Sequence, residues 1–234
     1  MREGRRPDEL RPLSIELDYL EQPMGAVLYS QGKTRVLCTA SLDENIPRWL
    51  RDSGRGWLTA EYSLLPASTG ERTQREASAG KQKGRTVEIQ RLIGRAIRAV
   101  ADMEALGERT LWLDCDVLQA DGGTRCAAIS GAYVAAARAL GRAGLSRMLT
   151  DSVAAVSLGI VDGDRLLDLD YEEDSSAEVD LNVVMTGAGR LVEVQATAER
   201  APFDREGLDV LLDLAAAGIE RIGEAQKDAL DAAG

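Results

Sequence analysis

Polar and apolar side chains alternate along Ser14-Ile15-Glu16-Leu17-Asp18-Tyr19-Leu20, the period of a half-buried strand that opens a sheet. Ala26–Ser30 and Thr34–Ala40 continue the strand signature on either side of Gln31-Gly32-Lys33, a glycine-containing connection suited to a hairpin. Trp57–Tyr62 adds a further strand. From Val87 to about Ala105 the period changes: Ile89, Leu92, Ile93, Ala96, Ile97 and Val100 recur three and four apart, with Arg91, Arg95 and Arg98 between them. This predicts an amphipathic helix closed near Gly107. Thr110–Leu118 then reads as a strand and the alanine-rich stretch Ala127–Leu140 as a buried helix. Four more strands follow, over Val153–Val161, Arg165–Asp170, Glu178–Met185 and Leu191–Thr197. Asp204–Leu230 closes the chain as a helix with Leu208, Leu211, Leu212, Ala215, Ile219 and Ile222 on one stripe.

Strands, helix, strand, helix, strands, helix is the order of an α/β (α+β) protein, and 234 residues suffice for a sizeable core. Residues 1–234 read as a single domain, whose two halves meet near 140–150. No sequence repeat is evident, although a βαβ-like half at each end is conceivable. Neither a Gly/Ser nor a Pro-rich linker interrupts the chain, and no run approaches the ~18 apolar residues needed to cross a bilayer. Met1 to Pro7 lack the apolar core of a secretion signal, so the expected location is the cytoplasm. Cys38, Cys115 and Cys126 lie in apolar or small-residue surroundings without metal-ligand spacing, which predicts buried free thiols.

The chain contains no histidine, and this narrows the chemistry more than any other feature of composition. Ser-His-Asp triads, Cys-His dyads and histidine-bound zinc are excluded. Arg, Lys, Asp and Glu must carry whatever reaction occurs. The net charge of −11 argues at first against a polyanionic partner, but its distribution is uneven. Residues 51–100 hold 10 Lys/Arg against 5 Asp/Glu, whereas residues 151–234 hold 6 against 20. Screening over about 8–10 Å lets a basic stretch act locally inside an acidic protein.

Three segments can carry chemistry. Asp121-Gly122-Gly123-Thr124-Arg125 lies between a strand and a helix, where unpaired helix N–H groups attract an anion. Two glycines admit a close phosphate, Thr124 can cap the helix or donate its hydroxyl, and Arg125 adds a forked cation. A plain Gly turn with an N-cap and a solvated arginine accounts for the pentapeptide as well. Gly80-Lys81-Gln82-Lys83-Gly84-Arg85-Thr86 precedes the other long helix in the same way, with Thr86 as a possible cap; it is not a Walker A loop, and a mobile basic loop is the alternative. In Glu172–Val183, a strand starting near Glu178 would put Glu178, Asp180 and Asn182 on one surface, where carboxylates together with Asp174 could hold Mg²⁺. A soluble acidic edge is the alternative there. The long polar stretch 67–84 carries Arg72, Arg75, Lys81 and Lys83, which suits a grip on a nucleic-acid backbone or a solvated insertion.

These segments resemble the ribonuclease PH family of bacterial phosphate-dependent 3′ exoribonucleases. The resemblance runs over Arg6-Pro7 to Pro12, Val36–Ala40, Gly56–Tyr62, Gly84–Ile93, Leu113 to Arg125 and Glu173–Val184. It implies a fold like the second domain of ribosomal protein S5, duplicated as βαβα-type units in a single ribonuclease PH domain and assembled as a homohexamer, a trimer of dimers. It also implies that Arg85, Gly123, Thr124 and Arg125 bind phosphate, that Asp174 and Asp180 are catalytic and hold Mg²⁺, and that Arg72 and Arg75 touch RNA. Ala67 stands where many members carry another arginine, and Cys126 replaces the usual threonine after the phosphate loop. The implied activity is that of a tRNA nucleotidyltransferase: inorganic phosphate attacks the last phosphodiester of precursor tRNA, and of ribosomal RNA in some cases, and a nucleoside diphosphate leaves. The reaction is reversible, and Asp180 or a metal-bound water protonates the leaving 3′ oxygen.

Two other readings stay open at this point. One is a catalytically silent RNA-binding subunit of an exosome-like ring, against which the retention of Arg85, Arg125, Asp174 and Asp180 speaks. The other is a hydrolytic ribonuclease using the same carboxylates. The acidic C-terminal third is expected to face away from the basic groove, with only Asp174 and Asp180 turned inward.

Overall fold

Alternating side chains build the first sheet of the computed structural model, which describes residues 4–200 and 202–233. Met1–Glu3, part of the stretch read for a secretion signal, lie outside the described residues. Strand β1 is Leu13–Leu17, shorter than the alternation suggests because Asp18 takes a left-handed backbone (φ 56°) that a short polar side chain tolerates. β2 (Gly25–Gln31) and β3 (Thr34–Asp43) form the expected hairpin, with Gln31 paired to Thr34 across Gly32-Lys33. β4 (Trp57–Leu64) leads into the polar stretch 67–84, which carries one short helix, α1 (Glu76–Ala79).

The long helix expected over 87–105 is two helices. α2 (Gly84–Arg98) carries the apolar stripe, and α3 (Met103–Leu106) is a separate turn closed by Gly107. The break lies at Asp102, whose carboxylate accepts from the N–H groups of Glu104 and Ala105 and so starts a new helix instead of continuing the old one. Ala101 pairs with Leu149 in an isolated bridge at the same place. β5 (Thr110–Gln119) then inserts between β3 and β4, antiparallel to the first and parallel to the second, giving the order β1-β2-β3-β5-β4. Helix α4 (Thr124–Arg142) follows immediately.

The second sheet has the order β7-β6-β8-β9 and comprises β6 (Val153–Val161), β7 (Asp164–Leu167), β8 (Val179–Thr186) and β9 (Leu191–Ala198), all pairs antiparallel. β7 stops short of the expected Asp170 because Asp168 turns left-handed (φ 57°). Helix α5 (Tyr171–Ser176), absent from the strand-based reading, sits between β7 and β8 and opens on a capping box of Asp170 and Glu173. α6 (Arg205–Ala232) closes the chain with Asp204 as its N-cap.

Helix α4 lies between the two sheets, packing on β2, β3 and β5 on one side and on β6 on the other. Alanine makes this possible. Ala128, Ala132, Ala135, Ala136 and Ala139 are almost fully buried, and their small side chains bring the helix axis close to both layers. A Cβ on Gly25 would stand 2.1 Å from the Ala135 carbonyl oxygen, so that glycine is fixed by the same close approach. Val153, Ala155 and Val184 join the core shared with the first sheet, whereas Val156, Leu158, Leu181 and Val183 form a second core beneath α6. The result is a mixed α/β architecture of two sheets, as the element order implied. Among the described residues, no helix is long and apolar enough to cross a membrane.

Candidate phosphate and RNA site

The pentapeptide 121–125 sits at the end of β5 and the start of α4. Gly122 and Gly123 both take positive φ, 72° and 63°, and a Cβ on Gly122 would lie 2.5 Å from the Leu169 carbonyl oxygen. Conformation and crowding therefore both demand glycine there. Gly123, not Thr124, is the N-cap, and no side chain caps the first-turn amides of α4, which stand at the positive end of a 19-residue helix. Thr124 is buried within that turn, where its hydroxyl accepts from the Tyr62 hydroxyl at 2.9 Å.

The loop is held from behind. Thr34 Oγ1 donates to the Gly122 carbonyl at 2.7 Å and accepts from the Asp121 N–H at 2.9 Å. Buried Arg11 donates to the Asp121 carbonyl and, at 2.6 Å, to Asp168 Oδ1, while the Arg11 N–H donates to the other Asp168 oxygen. The left-handed turn that ends β7 is thus the turn that aims Asp168 at Arg11. Thr34, Tyr62 and Arg11 carry no local signal for this role, because they meet the loop across 88, 62 and 110 residues of chain, and Asp168 meets Arg11 across 157.

Arg125 projects from the first turn of α4 with a side chain 15% exposed, and its Nη1 donates to Gln195 Oε1 at 2.5 Å. Arg85 is the second residue of α2 and is exposed. Thr86 is not the cap of that helix; Glu76 of α1 accepts from both the Lys83 N–H and the Thr86 hydroxyl, which makes the short helix a brace for the start of α2.

Asp180 on β8 is half-buried beneath this end of α4. The face expected to be an open acidic surface is covered there: Asn182 is buried and accepts from the Cys126 thiol at 3.3 Å. Burial, and after it the charge of Asp174, push the Asp180 carboxyl up to about 6, while Arg125 and Arg85 pull it down. Its Oδ1 is buried without a hydrogen-bond partner. Asp174, on α5, is solvent-accessible yet crowded on its inner side; burial raises its carboxyl, opposed by Arg85, Arg125 and Arg11. Arg85, Arg125, Asp174 and Asp180 therefore share one electrostatic site although they come from α2, α4, α5 and β8. Exposed Glu199, just beyond β9, raises both carboxylates as well.

The structure does not bring Arg72 and Arg75 to that cluster. Both are exposed, and Arg75 lines a separate groove of about 870 Å³ with Lys81 and Lys83, over Glu61, Asp114 and Asp116 on the outer face of the first sheet. The three cysteines are buried free thiols, and burial raises the Cys126 thiol far out of its reactive range.

Residues 9–140 match the model of domain 1 of the 3′ exoribonuclease family, and residues 151–218 match that of its domain 2. The chain belongs to this family. Within it, the chain is 56% identical to the ribonuclease PH of Bacillus subtilis, over 97% of this chain and 96% of that protein. It is 58% identical to the ribonuclease PH of Moorella thermoacetica, over 97% and 93%. Among solved structures, rice (Oryza sativa) Rrp46 shares the fold with a TM-score of 0.80 at 19% identity, over 97% of this chain and 98% of that one. A chain of the Archaeoglobus fulgidus exosome, solved with RNA bound to its active site, does so with 0.78 at 22% identity, over 94% and 90%. The two exoribonuclease domains divide the cluster between them: Arg85, Gly123, Thr124 and Arg125 fall in the first, Asp174 and Asp180 in the second.

Proposed function

We propose that the protein removes 3′-terminal nucleotides from precursor tRNA by phosphorolysis, with the cluster at the start of α4 as its active site. The observation that carries this site is the convergence of Arg85, Arg125 and the half-buried Asp180 carboxyl, which burial pushes up to about 6, on one helix N-terminus without a side-chain cap. In this reading inorganic phosphate is held by Arg85, Arg125 and the amides of Gly123, Thr124 and Arg125. Held there, one of its oxygens attacks the last phosphodiester in line. A new P–O bond joins it to the terminal nucleotide, the bond to the 3′ oxygen of the shortened RNA breaks, and a nucleoside diphosphate leaves. Asp180, its carboxyl pushed up to about 6, or a water held beside it supplies the proton to that 3′ oxygen. Arg72 and Arg75, on the loop beyond the site, would guide the RNA backbone further from its 3′ end.

The donor set also fits a divalent cation. Asp180 offers a buried, unpartnered oxygen, and Asp174 lies close enough to raise its neighbour's carboxyl. Two carboxylates are what Mg²⁺ commonly takes from a protein, with water and phosphate oxygens completing the shell. Asp174 and Asp180 would hold the ion, which offsets charge on the scissile phosphate. Proton and cation compete for Asp180, so binding weakens as the pH falls towards 6.

The protein is proposed to act in the cytoplasm as one functional unit, its halves meeting between residues 140 and 150, and as a homohexamer built as a trimer of dimers. Purified protein given Mg²⁺ and a 3′-extended tRNA is expected to shorten it only when phosphate is present, and to lengthen 3′ ends when nucleoside diphosphates replace phosphate. Shortening to monophosphates without phosphate would instead mark hydrolysis. Binding without shortening would mark a silent RNA-binding subunit.

A further inference from the structure

Arg125 is not held by its own helix. Its Nη1 donates to Gln195 Oε1 at 2.5 Å and reaches Glu88 Oε1 at 3.3 Å, and Gln195 Nε2 donates to that same Glu88 oxygen at 2.9 Å. Three elements meet in this triangle: α4 carries Arg125, α2 carries Glu88, and β9 of the second sheet carries Gln195.

The order of donors is forced. A carboxylate only accepts and a guanidinium only donates, so the Gln195 amide has one satisfied orientation, with its NH₂ towards Glu88 and its carbonyl towards Arg125. Glu88 therefore fixes which way Gln195 points, and Gln195 fixes Arg125. A second rung holds the same two elements in register, an ion pair between Arg95 of α2 and Glu193 of β9. Glu193 is two residues before Gln195, on the same strand face, and Arg95 is seven after Glu88, two turns along the helix. This triangle engages Arg125 only through Nη1, which leaves the other nitrogens of its planar fork for an anion.

We propose that Gln195 and Glu88 are positioning residues for phosphate: they hold the Arg125 guanidinium in the orientation that receives the anion, so that the second sheet sets phosphate affinity in a pocket built on the first. This rests on the reading of Arg125 as a phosphate ligand. A long side chain fixed before binding loses less freedom on binding, and the advantage shows as affinity for the anion it meets.

The test is steady-state kinetics with phosphate and RNA varied separately. Gln195→Leu keeps bulk but removes both hydrogen bonds. It is expected to raise the KM for phosphate about three- to ten-fold, with far smaller changes in kcat at saturating phosphate and in the KM for RNA. Gln195→Glu sets a carboxylate against Glu88 and should raise the phosphate KM likewise. Combining it with Glu88→Gln restores an amide–carboxylate pair with the donors exchanged, and should bring the phosphate KM back towards that of the unaltered protein. An unchanged phosphate KM in Gln195→Leu, or equal losses in kcat and in both KM values, would overturn the proposal; so would failure of the exchanged pair to improve on Gln195→Glu. Arg125→Ala separates the two levels. If it weakens phosphate use while Gln195→Leu does not, only the positioning role fails; if Arg125→Ala leaves phosphate use intact, the assignment of Arg125 itself fails.

Discussion

Replacing Arg125 with alanine lowers phosphate-dependent shortening of a 3′-extended tRNA by about 10²- to 10³-fold in kcat/KM for phosphate, the scale of removing one donor from a preorganised anion site. The side chain stands on the first turn of α4, where first-turn amides and the helix dipole already favour negative charge. Its guanidinium adds the one full positive charge fixed to that turn, and the bond to Gln195 orients it. Arg85, from another helix, remains in the variant, so some binding of phosphate survives. Loss of fold does not explain the expected defect: the side chain is partly exposed, its bonds are to exposed Glu88 and half-buried Gln195, and removing such contacts costs on the order of 1 kcal/mol. Thermal unfolding and tRNA binding by the variant should stay close to those of the unaltered protein. Full phosphate-dependent activity would remove Arg125 from the site.

Asp180→Asn is expected to separate activity from stability. Turnover falls about 10²- to 10⁴-fold, because asparagine supplies no proton to the leaving 3′ oxygen. Stability moves the other way. Burial, then Asp174, raises the carboxyl to about 6, so the folded protein prefers Asp180 protonated. The contribution of a group raised in this way is fully present below its ordinary unfolded value near 4 and is lost as the pH rises through about 6. Above that pH the metal-free protein holds a carboxylate charge with one oxygen buried and unpartnered. Asparagine is neutral throughout. The variant should therefore be more stable than the unaltered protein at pH 8, by about 1–2 kcal/mol once partial solvent screening is allowed for, and the gap should narrow towards pH 5. Added Mg²⁺ should raise the unfolding temperature of the unaltered protein more than that of the variant. A variant less stable at pH 8, or a gap that does not depend on pH, would show that Asp180 is not under electrostatic strain.

The sequence exposes what depends on local period and loses what depends on distant partners. The strands and the long helices follow from alternation and from three–four spacing, and Gly122-Gly123 announces a turn that only glycine can make. The break at Asp102 was hidden because Val100, Met103 and Leu106 continue the apolar period while a single carboxylate ends it from the side. Helix α5 had a readable start in the pair Asp170 and Glu173, overshadowed by the acidic run that follows it. Thr124 resembles an N-cap, yet the left-handed Gly123 ahead of it takes that position and turns the threonine hydroxyl to Tyr62. Arg11 and Gln195 were less legible still: in the chain one is a charged residue before a proline and the other a polar position in an alternating strand. Only the packing of α4 between the sheets brings the first beneath the phosphate loop and the second against Arg125.

The central claim is that phosphate, rather than water, is the nucleophile at the start of α4. Shortening of a 3′-extended tRNA in ³²P-labelled inorganic phosphate tests it most directly, by locating the label in the released nucleotides. The expected result is a nucleoside diphosphate labelled at its β-phosphate, one per nucleotide removed, formed far more slowly by Arg125→Ala. Unlabelled monophosphates released at the same rate with or without phosphate would contradict the claim.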